Sequence, residues 1–109
     1  MLKNNKTYSN VLNIQKNKTL IKTLEATFLC LDLSFDGKRV ATGGYKIIKI
    51  YKAPMLKIKH QIFAHNSNII CIKFSHDNLY LVTGAEDASI KLWRVKDVQL
   101  VNTFLFHSS

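Results

Sequence analysis

The stretch CLDLSFDG at residues 30–37 recurs as CIKFSHDN at residues 71–78, so the two copies lie 41 positions apart. Two further pairs keep nearly the same offset: VATGG at 40–44 with LVTGA at 81–85, and IKIYK at 48–52 with IKLWR at 90–94. A period of 41 to 42 residues predicts a stack of similar small units. Each unit is too small to bury both of its faces alone and needs a neighbour.

Short β-strands account for the pattern inside each repeat. In the second copy Ile70, Ile72 and Phe74 alternate with Cys71 and Lys73, which is the two-residue period of a strand. The turn dipeptides Asp-Gly, Asp-Asn and Gly-Gly separate such runs, and no window shows an apolar stripe of helical period. Eight strands are predicted, at residues 28–34, 39–42, 47–51, 57–63, 69–74, 79–83, 89–93 and 98–105.

Four strands per repeat, joined by short turns, predict a stack of antiparallel four-stranded sheets. Residues 10–27 contain two more apolar runs and are expected to be the last two strands of a preceding degenerate unit, after a disordered lead at 1–9. Residues 28–63 form the next unit, and residues 64–109 contain a complete unit and the start of another. We therefore expect the chain to be a piece of a longer protein or a truncated gene product.

The net charge of +9 and the pI of about 9.7 allow two interpretations. One is a footprint for nucleic acid, with a patch of lysines as its centre. The other is a compositional bias at solvent-facing positions, which the near absence of arginine favours because phosphate and base recognition use guanidinium forks. The patch would comprise Lys46, Lys49, Lys52, Lys57 and Lys59.

The two cysteines, Cys30 and Cys71, form neither a disulfide framework nor a zinc-site spacing. Each lies in an apolar run and is expected to be a small buried side chain in a reducing compartment. The N-terminus lacks the apolar stretch of a signal peptide, and no run is long enough to span a membrane. These features predict a cytoplasmic protein with no membrane partner.

The second repeat has three short motifs in order: Ala64-His65, then Thr83-Gly-x-x-Asp87, then Trp93-Arg94. They resemble the WD-repeat family, which has a Gly-His pair, a Ser/Thr-Gly-x-x-Asp turn and a Trp-Asp ending at these places. The resemblance implies an all-β fold, a partial β-propeller of antiparallel four-stranded blades, with about two complete blades and half a blade.

The resemblance also implies a hydrogen-bonded chain inside the blade. The indole N–H of Trp93 would bond the Thr83 hydroxyl, Thr83 would meet His65, and His65 would meet Asp87. A catalytic Thr-His-Asp arrangement is the alternative, and the absence of an oxyanion loop or strained elbow weighs against it. We therefore predict no catalytic, metal-binding or cofactor-binding residues, and no enzyme activity.

The first repeat departs from the family pattern. Thr42 and Tyr51 stand at the Thr and Trp positions, but Lys46 replaces the aspartate and Leu24 the histidine. The hydrogen-bonded chain is therefore expected to be missing from this blade. Packing against the neighbouring sheet would replace it, mainly by Val40, Ile48, Ile50 and Tyr51.

The family's usual role implies a scaffold that binds other proteins of a multisubunit complex, together with the remaining blades of a longer parent chain. Nucleic-acid binding within a ribonucleoprotein is the alternative. The order of motifs also resembles the final blades of axonemal cilia- and flagella-associated WD-repeat proteins, which implies a cilium or flagellum. Candidate contacts are the loop residues of the narrow face: Tyr45, Lys46, Asn66, Ser67, Asn68 and Glu86.

Overall fold

The computed structural model describes residues 28–105, which form two four-stranded antiparallel sheets in consecutive strand order. The strands are β1 Cys30–Leu33, β2 Arg39–Gly43, β3 Ile47–Lys52, β4 Lys57–Phe63, β5 Ile69–Phe74, β6 Tyr80–Ala85, β7 Ser89–Arg94 and β8 Gln99–Leu105. We call β1–β4 the first blade and β5–β8 the second blade. The predicted all-β class and four-stranded units are confirmed. The half blade predicted at 10–27, the lead at 1–9 and the repeat start at 106–109 lie outside the described residues.

Each hairpin turn places one residue in the left-handed backbone region, with φ between 48° and 73°. The positions recur from blade to blade, in the pairs Gly37 and Asn78, Lys46 and Ala88, and Leu56 and Val98. Glycine and asparagine adopt this conformation readily, whereas residues with a larger Cβ substituent are strained by it. The turns therefore keep their geometry even where the residue type opposes it.

A repeated Ser-x-Asp motif closes the β1–β2 turn. The Ser34 hydroxyl donates to Asp36 Oδ1 at 2.6 Å, the same carboxylate accepts the Lys38 N–H, and Ser34 Oγ accepts the Arg39 N–H. Equivalent bonds in the second blade join Ser75, Asp77, Leu79 and Tyr80. The two blades thus share their side-chain chemistry as well as their strands.

A single apolar core joins the two blades. Its buried members from β2 and β3 include Ala41, Ile48 and Ile50, and those from the second blade include Ile69 and Trp93. A second buried cluster in the first blade contains Leu33, Val40, Tyr51 and Leu56. The packing predicted against the neighbouring sheet is therefore confirmed for Ile48 and Ile50, whereas Val40 and Tyr51 pack against residues of their own blade.

Polar contacts also cross between the blades. The Phe74 N–H of β5 donates to Asp32 Oδ2 of β1 at 2.8 Å, and the Asp36 N–H donates to Asn78 Oδ1 at 3.2 Å. The Phe35 and His76 rings stack beside them, with centroids 4.3 Å apart. The buried apolar core therefore has a polar seam that sets the blades in register.

Because of a β-bulge, the alternation of β5 differs from the one predicted. The pairing with β6 shifts between Ile69 and Cys71, which leaves Ile69 buried and Ile70 exposed. Cys71 is also exposed, so the prediction that both cysteines are buried is wrong for this one, because the extra residue of a bulge changes which side chains face the core. Cys30 is half-buried, and this burial, with Cys71 nearby, raises the pKa of its thiol to about 11.

Residues 28–105 contain no helix that is long and apolar enough to cross a membrane.

Candidate functional site

The four side chains singled out in the second repeat lie on two strands and two connecting segments around the second blade. The Trp93 indole N–H of β7 donates to Thr83 Oγ1 of β6 at 2.9 Å. Thr83 Oγ1 in turn lies 2.7 Å from His65 Nε2, in the segment that leads into β5. Thr83 and His65 are 0% and 1% exposed, so this part of the chain is closed to solvent.

The predicted direct bond between His65 and Asp87 is wrong, because Ser89 lies between them. His65 Nδ1 is 2.9 Å from Ser89 Oγ, and that hydroxyl donates to Asp87 Oδ1 at 2.5 Å. The Ser89 backbone N–H bonds the same carboxylate at 3.1 Å, so Asp87 closes a local turn over Ser89. The carboxylate therefore reaches the imidazole through a hydroxyl relay.

The chemistry of the two ends fixes the direction of every hydrogen bond in this chain. The Trp93 indole can only donate and the ionised Asp87 can only accept. The Ser89 hydroxyl gives its hydrogen to Asp87 and so accepts from His65 Nδ1–H. The neutral imidazole then accepts the Thr83 hydroxyl hydrogen at Nε2, and Thr83 accepts from Trp93. Every donor is used once, which is the condition under which a buried polar network is stable.

The electrostatics agree with a neutral His65. Burial lowers the pKa of His65, the nearby Lys91 ammonium lowers it further, and Asp87 opposes both. The pKa of Asp87 is lowered mainly by the hydrogen bond from the Ser89 hydroxyl. A charged imidazole would have to donate at Nε2, and the Thr83 hydroxyl hydrogen would then lose its acceptor.

Lys91 lies in β7, where the alternation of side chains alone predicts a solvent-facing position. It is half-buried, and its Nζ donates to the Ala64 carbonyl at 2.6 Å while lying 6.0 Å from the centroid of the Trp93 ring. The alkyl part of a lysine can follow an apolar surface to reach such an acceptor. The ammonium thereby ties β7 to the segment that carries His65.

The first blade retains part of this arrangement. Thr42 and Tyr51 stand at the positions of Thr83 and Trp93, and the Thr42 hydroxyl opposes the rise in the pKa of Tyr51 caused by burial. Leu24, at the histidine position, lies outside the described residues, so the absence of the hydrogen-bonded chain from this blade stays a prediction. Lys46, at the aspartate position, joins the two blades through its backbone. Its carbonyl accepts the N–H groups of Ala64 and His65 at 2.8 and 3.3 Å.

Hydrogen bonds join three segments at one end of the sheets, which we call the narrow end: turn 44–46, loop 64–68 and turn 86–88. The Ile69 N–H donates to the Gly44 carbonyl at 2.8 Å. The Glu86 N–H donates to the Asn68 carbonyl at 3.0 Å, and the Asp87 N–H to Ser67 Oγ at 3.1 Å. The structure therefore brings the three candidate contact segments to one end and fixes their backbone.

The six candidate contact residues differ in how much of each side chain is free. Tyr45 is 58% exposed, and Lys46, Asn66 and Glu86 are also exposed. Ser67 and Asn68 are half-buried, and each of them already supports the turn that follows β6. The four exposed side chains form the available part of this surface.

The five lysines considered as a nucleic-acid patch do not share one end of the blade. Lys46 lies at the narrow end, whereas Lys52 and Lys57 pair with each other across β3 and β4 at the opposite end. Lys49 is half-buried in the middle of β3, and Lys59 is exposed on β4. A nucleic-acid site at this position would have to run along the length of the outer strands.

The sequence analysis missed two residues that matter here. Ser89 follows the turn aspartate by two positions, which is an ordinary place for a turn hydroxyl and gave no sign of a relay. Asp32 bonds the Phe74 amide 42 positions further along, and only the stacking of the blades reveals it. Within residues 28–105 no group of three His, Cys, Asp or Glu side chains could hold a metal ion.

Comparison with protein families shows what the chain is similar to. A family model described as "WD domain, G-beta repeat" matches residues 18–52 and 56–94. Human apoptotic protease-activating factor 1 is 33% identical over 94 residues, which are 85% of this chain and 8% of that protein. Protein SOF1 of Saccharomyces cerevisiae is 28% identical over 93 residues, which are 82% of this chain and 19% of that protein. The chain thus spans a small fraction of these relatives.

Solved structures show the same likeness in three dimensions. The crystal structure of the RRP9 WD40 repeats matches with a TM-score of 0.71 and 28% identity, covering 75% of this chain and 25% of that one. The structure of U3-55K matches with a TM-score of 0.71 and 27% identity, covering 76% of this chain and 26% of that one. Two stacked four-stranded sheets therefore correspond to a section of a larger ring of such sheets.

Proposed function

Because the chain belongs to the WD-repeat family, we propose that it is a non-catalytic scaffold that holds other proteins of a multisubunit complex at its narrow end. The observation that carries this proposal is the hydrogen-bonded joining of turn 44–46, loop 64–68 and turn 86–88 into one platform. Binding residues placed on loops of a rigid sheet lose little conformational freedom on binding. The exposed Tyr45 supplies the aromatic group that such contacts favour.

The buried chain of side chains has a structural role in this proposal. Thr83 is closed to solvent, and its hydroxyl hydrogen is directed at His65, so it is not presented to a substrate. Breaking any link would leave a buried polar group without its partner, at a cost of about 1–3 kcal/mol. This row of hydrogen-bonded side chains therefore holds Trp93 and the narrow-end turns in place.

The remaining blades of a longer parent chain are the first partner that we propose. The second blade has an exposed face that includes Val82. Val82 is the counterpart, in the second repeat, of Ala41, which is buried in the first blade. Phe104 is likewise exposed at the repeat position of Ile62, which packs against the core between the blades. A further blade would cover this apolar face in the way that the second blade covers the first.

An affinity experiment tests the scaffold proposal. The variants Tyr45→Ser and Glu86→Lys change exposed narrow-end side chains, and Lys59→Gln is the matched control on the outer strand β4. In quantitative co-purification from the source cell, the two narrow-end variants should lose the same specific proteins while Lys59→Gln retains them. Retention of every protein by both narrow-end variants would contradict this surface.

Nucleic-acid binding within a ribonucleoprotein is the second candidate function, and the net charge of +9 is the observation that favours it. Association carried by phosphate contacts weakens steeply as salt is raised. Nuclease treatment and a salt titration of the co-purified complex distinguish the two functions. Loss of the complex on nuclease treatment would support the nucleic-acid function, and persistence would support the protein scaffold.

The axonemal assignment is a finer part of the proposal, and the order of motifs in the two repeats supports it. It predicts that the full-length parent protein, carrying a fluorescent tag, lies along the axoneme of a ciliated cell. A diffuse cytoplasmic signal would remove this assignment and leave the scaffold proposal intact.

A further inference from the structure

Both arginines of the chain line one groove, although they lie 55 positions apart and belong to different blades. The groove lies at the end opposite the narrow end and measures about 320 Å³. The chain has 16 basic residues, of which Arg39 and Arg94 are the arginines, so a general lysine bias does not explain their convergence. Its lining residues are Arg39, Asn78, Leu79, Tyr80, Arg94, Val95 and Lys96.

The floor of the groove is apolar. Val95 is buried beneath it, Leu79 is 58% exposed and the Tyr80 ring is 36% exposed. The Val95 N–H donates to the Leu79 carbonyl at 2.9 Å, so the two backbone segments that form the floor are joined. An exposed leucine beside a tyrosine ring can accommodate an apolar side chain of a ligand.

The guanidinium of Arg94 is held along one edge by its neighbours. Its Nε and one terminal nitrogen donate to Asp97 at 3.0 and 2.7 Å, and the same terminal nitrogen contacts Gln99 at 2.7 Å. The other terminal nitrogen makes no hydrogen bond to any residue from 28 to 105. A guanidinium fixed along one edge can present the opposite edge to a carboxylate with little loss of side-chain entropy.

Arg39 is the first of three positively charged side chains on adjacent strands, an arrangement that does not stabilise the sheet. It pairs with Lys52 across β2 and β3, and Lys52 pairs with Lys57 across β3 and β4. Like charges directly opposite each other in a sheet are destabilising. Among residues 28–105 the structure has one ion pair, Arg94 with Asp97, so none of these three cations forms an ion pair there.

The acidic side chains near the groove are already engaged. Asp97 bonds Arg94, and Asp77 accepts the Ser75 hydroxyl and the Leu79 N–H. Asp36 likewise accepts the Ser34 hydroxyl and a backbone N–H of its own turn. These three carboxylates keep their negative charges, but six cations lie at the same end of the sheets, so the net charge there is positive. The cations are Lys38, Arg39, Lys52, Lys57, Arg94 and Lys96.

We propose that this groove binds a short acidic peptide segment, with an apolar side chain on the Leu79–Tyr80 floor and flanking carboxylates on Arg39, Arg94 and Lys96. The apolar floor favours a peptide over a polynucleotide, because a phosphate backbone gains nothing from an exposed leucine. The site is separate from the narrow end, so the result of its test does not depend on the scaffold surface proposed above. The chain then holds two partners, one at each end of the sheets.

The test measures binding of a fluorescent peptide of sequence Glu-Glu-Leu-Glu-Glu to the chain by anisotropy. Replacing either arginine removes a charge-assisted hydrogen bond, so Arg39→Gln and Arg94→Gln should each weaken binding about tenfold or more. Arg39→Lys should also weaken it, since it keeps the charge but loses the fork. The matched control Lys59→Gln removes the same charge outside the groove and should change affinity less than about twofold.

Circular dichroism melts establish that each variant is folded before binding is compared. An equal loss of affinity in Lys59→Gln and the arginine variants would overturn the proposal, because the binding would then depend on net charge alone. Failure of the peptide to bind would overturn it, and so would tighter binding of a short polyuridine at the same arginines. Equal affinity for a Glu-Glu-Gly-Glu-Glu peptide would overturn the role of the apolar floor.

Discussion

Gly43 of β2 lies so close to Ile69 of β5 that no side chain fits between them. A Cβ atom at Gly43 would meet Ile69 Cγ2 at 2.6 Å and Cys30 Sγ at 3.0 Å. At Gly84, the equivalent position of the second blade, the nearest neighbour is Cys71 Cβ at 3.6 Å, an ordinary contact distance. The same residue in the two repeats therefore has different packing, because a second blade covers the first.

Matched alanine substitutions at these two glycines test the blade interface. Gly43→Ala should lower the free energy of unfolding by about 1–3 kcal/mol, because the blades must separate to admit the methyl group. Gly84→Ala should be neutral or stabilising by about 0.5–1 kcal/mol, since a strand glycine is entropically costly. Urea unfolding of both variants measures the difference. Equal effects at the two positions would show that the blades do not approach each other at Gly43.

Ser89→Ala tests the relay between His65 and Asp87. Removing the hydroxyl leaves the His65 Nδ1–H without its buried acceptor and should cost about 1–3 kcal/mol of unfolding free energy. Ser67→Ala is the control, because its hydroxyl accepts the exposed Asp87 N–H and serves no buried donor, and it should cost less. If Ser89→Ala were neutral, a direct bond between the imidazole and the carboxylate would be the better description.

The pH dependence of stability tests the charge state of His65. Its pKa is lower in the folded chain than the ordinary 6.5, so the unfolded chain binds more protons in that interval. Stability should therefore be complete above about pH 6.5 and fall as the pH decreases toward the lowered folded value. Unfolding curves from about pH 8 to about pH 5 measure this fall. His65→Gln should be less stable and should lose that part of the pH dependence.

Ala88→Gly tests the strain in the turn between β6 and β7. Ala88 has φ of 64°, which costs an L-residue about 1–2 kcal/mol, and the added flexibility of glycine offsets part of the relief. A net stabilisation of up to about 1 kcal/mol is expected. Ala85→Gly, in the buried end of β6, should instead destabilise. A loss of stability in both variants would mean that the turn is not strained.

Asp32→Asn tests the polar seam between the blades. The amide oxygen can still accept the Phe74 N–H, so this variant should lose little stability, whereas Asp32→Ala leaves that amide without its acceptor and should cost about 1–2 kcal/mol. Native-state hydrogen exchange of the Phe74 amide supplies a local measurement. Faster exchange in Asp32→Ala alone is the expected result, and equal protection in both variants would contradict the contact.

The strands and turns could be predicted because their signals are local. The alternation around Ile72 and Phe74, and the turn residues that follow at Asp77 and Asn78, depend only on near neighbours in the chain. The contact between Thr83 and Trp93 could be anticipated because both residues stand at fixed places in a family pattern. Whether the six narrow-end candidates contribute to partner binding stays a prediction.

The remaining features depend on contacts between residues distant in sequence. The bulge that exposes Ile70 and Cys71 changes the face of β5 without any glycine or proline to mark it. The groove exists because two turns of the second blade lie beside Arg39 of the first. Alternation along a single strand carries no information about such neighbours.

The indole N–H of Trp93 provides the most direct measurement, because the chain has a single tryptophan and therefore one indole signal in a nitrogen–proton correlation spectrum. If Trp93, Thr83 and His65 form a buried hydrogen-bonded chain, this proton should exchange with solvent only when the blade opens. Thr83→Val should remove that protection. Exchange at the rate of a free indole in the native chain would contradict the account.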